Sequence, residues 1–174
     1  MPTNLEIKAK LPNRERAIEI AEALPSSFSD ELNQTDTYFI APQGRLKLRE
    51  INQTTTELIY YNRAEDSNER ISKFEIYQTA NSHKLKSILT DAFGVKAVVK
   101  KHRRLYLFNT TRIHIDEVEG LGDFIEFEVP IDSNIENAHQ IIDFLISKFH
   151  LHTDIFIKGS YVDLILEQAN AVGN

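Results

Sequence analysis

Gly44-Arg45-Leu46-Lys47-Leu48-Arg49 and Asp123-Phe124-Ile125-Glu126-Phe127-Glu128 are the stretches on which the fold of this chain turns. Side chains on a β-strand point alternately to its two faces. The first stretch therefore gathers Arg45, Lys47 and Arg49 on one side and leaves Leu46 and Leu48 on the other. The second gathers Glu126 and Glu128, with Ile125, Phe127 and Val129 opposite. Near the start, Asn4-Leu5-Glu6-Ile7-Lys8-Ala9-Lys10 places one carboxylate and two cations together. Each pattern alone is compatible with a wet sheet face over a leucine-rich core. Three neighbouring cations repel one another, however, and an anion between them relieves that repulsion. Cations suit phosphate, and paired carboxylates suit Mg2+ or Mn2+. Together they point to a metal-bound polyphosphate.

The rest of the chain supplies strands and helices to carry these faces. Residues 3–11 alternate as a strand, and Asn13 is placed to cap a helix with Ala17, Ile20, Ala21 and Leu24 on one face. From about 30 to 79 the pattern is β-like, broken at Pro42-Gln43-Gly44, around Asn52-Gln53 and across Ala64–Glu69. A second helix is predicted over 82–93, ended by Gly94. Residues 95–108 and 110–118 read as a long hairpin turning at Asn109-Thr110, and Glu119-Gly120-Leu121-Gly122 leads into a strand over 123–130. Ser133-x-x-Glu136 is a capping box for a third helix with Ile135, Ala138, Ile141, Ile142, Leu145 and Phe149 on its stripe. A last helix follows Ser160. About eight strands in runs and four helices predict an α+β fold whose antiparallel sheet curls into a closed or nearly closed β-barrel.

The 174 residues form one domain over 1–174, with 41% hydrophobic and 26% charged residues. A net charge of −6 argues against a nucleic-acid partner held by bulk positive charge. The absence of cysteine excludes disulfides and thiolate metal sites. No apolar run is long enough for a membrane span and the N-terminus lacks a secretory signal, so the expected location is cytoplasmic, with no membrane partner. Walker, Gly-x-Gly-x-x-Gly, His-Glu-x-x-His and Gly-x-Ser-x-Gly motifs are missing. A phosphate site must then be built from side chains. Further cations, Arg63, Lys73, Lys101, Arg103 and Arg112, fall in predicted strands or at their ends. His114 shares the face of Arg112 and Asp116 and receives a minor role, while His150-Leu151-His152 reads as a helix end.

These residues resemble the CYTH superfamily, the triphosphate tunnel metalloenzymes, over about Asn4 to Leu166. The family's Glu-x-Glu-x-Lys is matched by Asn4-Leu5-Glu6-Ile7-Lys8, with Asn4 in place of the first Glu. Gln34-Thr35-Asp36-Thr37-Tyr38-Phe39 through Arg49 and the long block Asp116–Glu128 resemble the class IV adenylyl cyclase type, and Ser160-Tyr161-Val162-Asp163-Leu164 resembles the usual C-terminal stretch. The resemblance implies a triphosphate tunnel of about eight antiparallel strands, charged inside, with helices packed outside. It implies Glu6, Lys8, Glu126 and Glu128 as catalytic residues and Glu6, Asp116, Glu126 and Glu128 as ligands of Mg2+ or Mn2+. It assigns Lys8, Lys10, Arg45, Lys47, Arg49, Arg63, Lys73, Lys101, Arg103 and Arg112 to the substrate, with Glu75 beside Lys73. The implied activity is conversion of ATP to cyclic AMP and pyrophosphate. The alternatives are hydrolysis of tripolyphosphate or thiamine triphosphate, and a non-catalytic polyphosphate-binding module. A homodimer is a further expectation of the resemblance. Asn4 offers an oxygen without charge, which predicts a weaker metal corner there.

Overall fold

The computed structural model describes residues 2–63, 70–80, 82–131 and 135–173, with Arg63 described by its backbone alone. The predicted break across Ala64–Glu69 and the Ser133 capping box lie outside the described residues. Eight antiparallel strands close into a barrel: β1 (Thr3–Lys10), β2 (Ser27–Phe39), β3 (Arg45–Ile51), β4 (Thr55–Arg63), β5 (Arg70–Thr79), β6 (Val95–Phe108), β7 (Thr111–Val118) and β8 (Gly122–Pro130). Their order around the wall is β1-β5-β4-β3-β2-β6-β7-β8, and β1 closes the ring by pairing with both β5 and β8. Most neighbours are hairpins. The long-range seams are β1–β5, β1–β8 and β2–β6.

Closure sends one face of every strand inward and the other outward, which explains why β1 is buried on both sides from Asn4 to Ala9. Leu5, Ile7 and Ala9 face out, beneath α1 (Arg14–Ala23) and α3 (Ile135–Lys148). The same outer core takes Ile113 and Ile115 of β7, Ile125, Phe127 and Val129 of β8, and Ala138, Ile142 and Leu145 of α3. Asn13 caps α1 as the sequence predicts, accepting a hydrogen bond from the Arg16 N–H at 2.9 Å. On another part of the wall, α2 (Ser82–Phe93) sets Leu89 against Phe39 and Leu48. Among the described residues no helix covers the outside of β5, where Ile71, Lys73, Glu75 and Tyr77 are exposed.

One end of the barrel has an apolar floor. Tyr38, Ile59, Tyr61, Val99, Val118 and Phe124 pack around Tyr161 and Val162 at the start of α4 (Tyr161–Val172). The chain before α4 is stitched to the wall by a hydrogen bond from Ile157 N–H to Lys8 O at 2.9 Å and by the pairing of Phe156 with Ala9. Fully buried Arg70 donates to the carbonyls of Lys158 and Gly159. Ser160 caps α4, with its N–H and hydroxyl both donating to Asp163. Among the described residues no helix is long and apolar enough to cross a membrane.

Candidate functional site

The inward faces enclose a cavity of about 330 Å3 above that floor. Glu6 and Lys8 of β1, Lys47 and Arg49 of β3, Lys101 and Arg103 of β6, Arg112 of β7, and Glu126 and Glu128 of β8 all line it. The cationic row and the acidic row therefore line one shared cavity inside the barrel. Beyond Asp36, Arg49 and Arg103, away from the floor, the lining includes Leu32, Ile51 and Leu105, while Phe74 packs against the floor cluster.

The charges sort into two groups. The first surrounds Asp36 on β2, a residue the sequence reading did not select. Arg49 grips it with two hydrogen bonds, Nε to Oδ1 at 2.7 Å and a terminal nitrogen to Oδ2 at 2.8 Å. The ammonium groups of Lys47 and Lys101 each donate to Oδ2 at 2.9 Å. The register produces this meeting, because Asp36 lies opposite Arg49 on β3 while β6 runs along its other side. Burial alone would raise the Asp36 pKa, but Arg49, Lys101 and Lys47 outweigh it and hold the group well below the usual carboxylate range. Lys101 responds oppositely. Burial, helped by repulsion from Arg49, Arg103 and Lys47, lowers its pKa to about 7 despite Asp36.

The second group centres on β8, with β1 and β7 on either side. Glu126 stands opposite Lys8 and His114; Glu128 stands opposite Glu6 and Arg112. Lys8 donates to Glu126 Oε1 at 2.7 Å, and Arg103 reaches Glu126 Oε2 at 3.3 Å. Arg112 holds Glu128 Oε2 through two nitrogens at 2.8 and 2.6 Å. The charged partners keep Glu126 well below its ordinary pKa against the opposing effect of burial, and they lower Glu128 as well. His114 Nδ1 lies 3.5 Å from Glu126 Oε2 and 3.8 Å from Glu128 Oε1. Burial, with the Arg103 charge, pushes this histidine below its ordinary value. Donor atoms of His114, Glu126 and Glu128 all lie within 4.8 Å of one another, and one nitrogen with two carboxylates is a donor set that fits a small divalent cation.

Several residues selected from the sequence lie elsewhere. Asp116 does not line the cavity: both its oxygens are held by Arg103 at 2.7 and 2.6 Å, and the Tyr161 hydroxyl donates to it at 2.7 Å. That arrangement holds its pKa near 2 against burial. Lys10 and Arg45 share the inward parity but fall past the floor. The Lys8 ammonium already sits 4.1 Å over the Tyr161 ring, and Lys47 lies 5.3 and 5.5 Å from the Tyr38 and Tyr61 rings. Two residues further along, Lys10 is exposed and Arg45 pairs with Asp163 at 3.0 and 2.9 Å. Lys73 is exposed on the outer face of β5, with Glu75, because this strand turns Ser72, Phe74 and Ile76 inward. Arg63 pairs with Ser72 in the register; nothing about its side chain is described. Asp36 was visible in Gln34-x-Asp36-x-Tyr38, an alternating set, but its three cationic partners come from other strands.

Known proteins place this barrel. The chain is 27% identical to a Methanocaldococcus jannaschii protein named as a candidate adenylate cyclase, over 92% of this chain and 97% of that protein. A solved Pyrococcus horikoshii structure superposes with a TM-score of 0.85 at 27% identity, covering 92% of this chain and 98% of that one. A Vibrio parahaemolyticus structure described as a candidate adenylate cyclase shares the fold, with a TM-score of 0.78 and 21% identity over 93% of this chain and 97% of its own. The CYTH domain profile matches residues 2–153, which carry all eight strands and both charged groups, and the chain belongs to the CYTH domain family.

Proposed function

We propose that this protein is a divalent-metal-dependent enzyme acting on a nucleotide or organic triphosphate in the barrel, with conversion of ATP to cyclic AMP and pyrophosphate as its reaction. The observation that carries the reading is the enclosure of Lys47, Arg49, Lys101, Arg103 and Arg112 with Glu126 and Glu128 around one cavity. Guanidinium groups grip phosphate oxygens through paired hydrogen bonds, and ammonium groups add compact charge. Lys47, Arg49 and Lys101 are already gathered about one anion, so a phosphate group can compete with Asp36 for them. Lys8 and Arg103 orient Glu126, and Arg112 orients Glu128. Glu126 and Glu128, with Glu6 beside Glu128 in the register, are the residues to hold Mg2+ or Mn2+. The bound ion supplies charge neutralisation at the reacting phosphorus. In the cyclase reaction the ribose 3′-oxygen attacks the α-phosphorus and pyrophosphate departs. The walls position the chain and stabilise the developing charge, which carry most of the rate in phosphoryl chemistry.

A second reading, binding of polyphosphate or a phosphorylated ligand without turnover, draws on Asn4, a buried amide where the family motif has a carboxylate. The two are separated by incubating the protein with ATP, thiamine triphosphate and tripolyphosphate under Mg2+ or Mn2+ and identifying the products. Cyclic AMP and pyrophosphate are expected from ATP. Orthophosphate would assign hydrolysis instead. Tight, metal-independent binding with no product from any of the three would establish the second reading.

Lys101 adds a pH signature. With its pKa near 7 it is largely neutral at higher pH, and a phosphate beside it favours the protonated form. Binding of tripolyphosphate above that pH therefore takes up a proton, and affinity falls as pH rises from about 7 to about 9. Calorimetry in buffers of different ionisation enthalpy reads the uptake directly. Heats independent of buffer at pH 8 would refute it.

A further inference from the structure

We propose that His114 is a direct nitrogen ligand of the divalent cation in this barrel, completing a His114–Glu126–Glu128 site that favours Mn2+ over Mg2+. The inference rests on the metal-dependent reading above but concerns a different residue set from the all-carboxylate one the sequence implied. Three observations on this chain lead to it.

The first is how the carboxylates are tethered. Lys8 takes Glu126 Oε1, and Arg112 takes Glu128 Oε2 with two nitrogens. In each case the other oxygen is the one nearest His114 Nδ1, at 3.5 Å for Glu126 Oε2, which also accepts from Arg103 at 3.3 Å, and at 3.8 Å for Glu128 Oε1. Outer cations thus orient both carboxylates so that their inner oxygens and the ring nitrogen converge. Such outer partners are what hold metal ligands in place elsewhere.

The second is the loss of two neighbouring positions, which leaves Glu6, opposite Glu128 in the register, as the remaining wall carboxylate beside this cluster. Asp116 is consumed by Arg103 and Tyr161. Position 4, facing the cavity on the first strand, carries an uncharged amide. The third is rigidity. His114 is 3% exposed on β7, directly opposite Glu126 in the β7–β8 register, so paired strands fix its backbone and burial restricts its ring. A neutral imidazole is a good donor to transition ions and a poor one to Mg2+, whereas Mn2+ accepts carboxylates and nitrogen together.

Electron spin-echo spectroscopy of the Mn2+-loaded protein decides the matter without reference to turnover. The wild type is expected to show modulation from a directly bound 14N, replaced by the 15N pattern when the protein is grown with 15N-histidine. His114→Gln is expected to lose that modulation and to weaken Mn2+ binding about tenfold or more, while Mg2+ binding changes less. Bound Mn2+ without nitrogen modulation in the wild type, modulation that persists in His114→Gln, or no Mn2+ binding with or without tripolyphosphate would each overturn the assignment. The labelled wild type is decisive even if the variant fails to fold. Nitrogen coupling in a protein that turns over no triphosphate would leave the ligand standing and remove the enzymatic reading. Metal-dependent turnover without nitrogen coupling would do the reverse.

Discussion

Replacing Asp36 by Asn destabilises the ligand-free protein by about 3–5 kcal/mol, the usual penalty for leaving buried charge unpaired, and saturating tripolyphosphate recovers much of that loss. Asp36 is 1% exposed and is the shared acceptor for Arg49, Lys47 and Lys101. The amide keeps the shape but removes the charge, so Arg49 and Lys47 are left to repel each other in a poorly solvated space, and Lys101, whose proton Asp36 helps to hold, gives it up more readily. A phosphate chain brings its own charge and takes the vacated role, stabilising the native state by mass action. Urea unfolding of wild type and variant, each with and without tripolyphosphate, measures both halves of the expectation. An equal stability gap in the two conditions would mean that phosphate never meets these cations. The variant should also lose part of the acid sensitivity of the wild type. Asp36 has its pKa depressed in the native state, so its contribution is complete above the unfolded carboxylate value of about 3.9 and disappears as pH falls through the folded value.

Glu126→Gln and Glu128→Gln should each lower product formation by on the order of 10²–10³-fold, the scale on which removal of one preorganised electrostatic group is felt. Both changes keep volume and remove the charge that offsets a divalent ion. They differ in their side effects. Glu126 is the partner of Lys8 and Arg103 inside the barrel, so its loss also leaves buried cations uncompensated. The main cationic partner of Glu128 is Arg112, whose side chain is 37% exposed and can turn to water. Glu128→Gln should therefore separate catalysis from stability: unfolding nearly unchanged, turnover sharply reduced. Initial rates under Mg2+ and Mn2+, alongside thermal unfolding, test this. Undiminished rates in both variants would leave the enzyme reading without its metal site.

The reading of individual strands transferred well to the barrel where apolar and charged residues alternate strictly. Leu5, Ile7 and Ala9 against Glu6 and Lys8, and Ile125 and Phe127 against Glu126 and Glu128, could only be satisfied by covering one face with helices and folding the other inward. It failed where alternation carries the opposite sense. On β5 the apolar residues Phe74 and Ile76 line the cavity and Lys73 and Glu75 meet solvent, so a cation in a strand was no guide to its face. His114 was placed on the face that lines the cavity, but its two carboxylate neighbours belong to the strand across the next turn and were not visible beside it in the sequence.

From the linear order of residues alone came the strand and helix segments, the two-sided character of β1, β3 and β8, and the chemistry of a charged interior. A period of two states which side of a strand a residue occupies; it carries no information about height along the barrel or about partners on distant strands. Those were decided by tertiary structure. Closure of β1 onto β8 and the β2–β6 seam set the registers that surround Asp36 and that place His114 beside two glutamates. The Tyr161 floor then fixed a depth beyond which Lys10 and Arg45 no longer reach the cavity, since two residues along a strand move a side chain by about 7 Å.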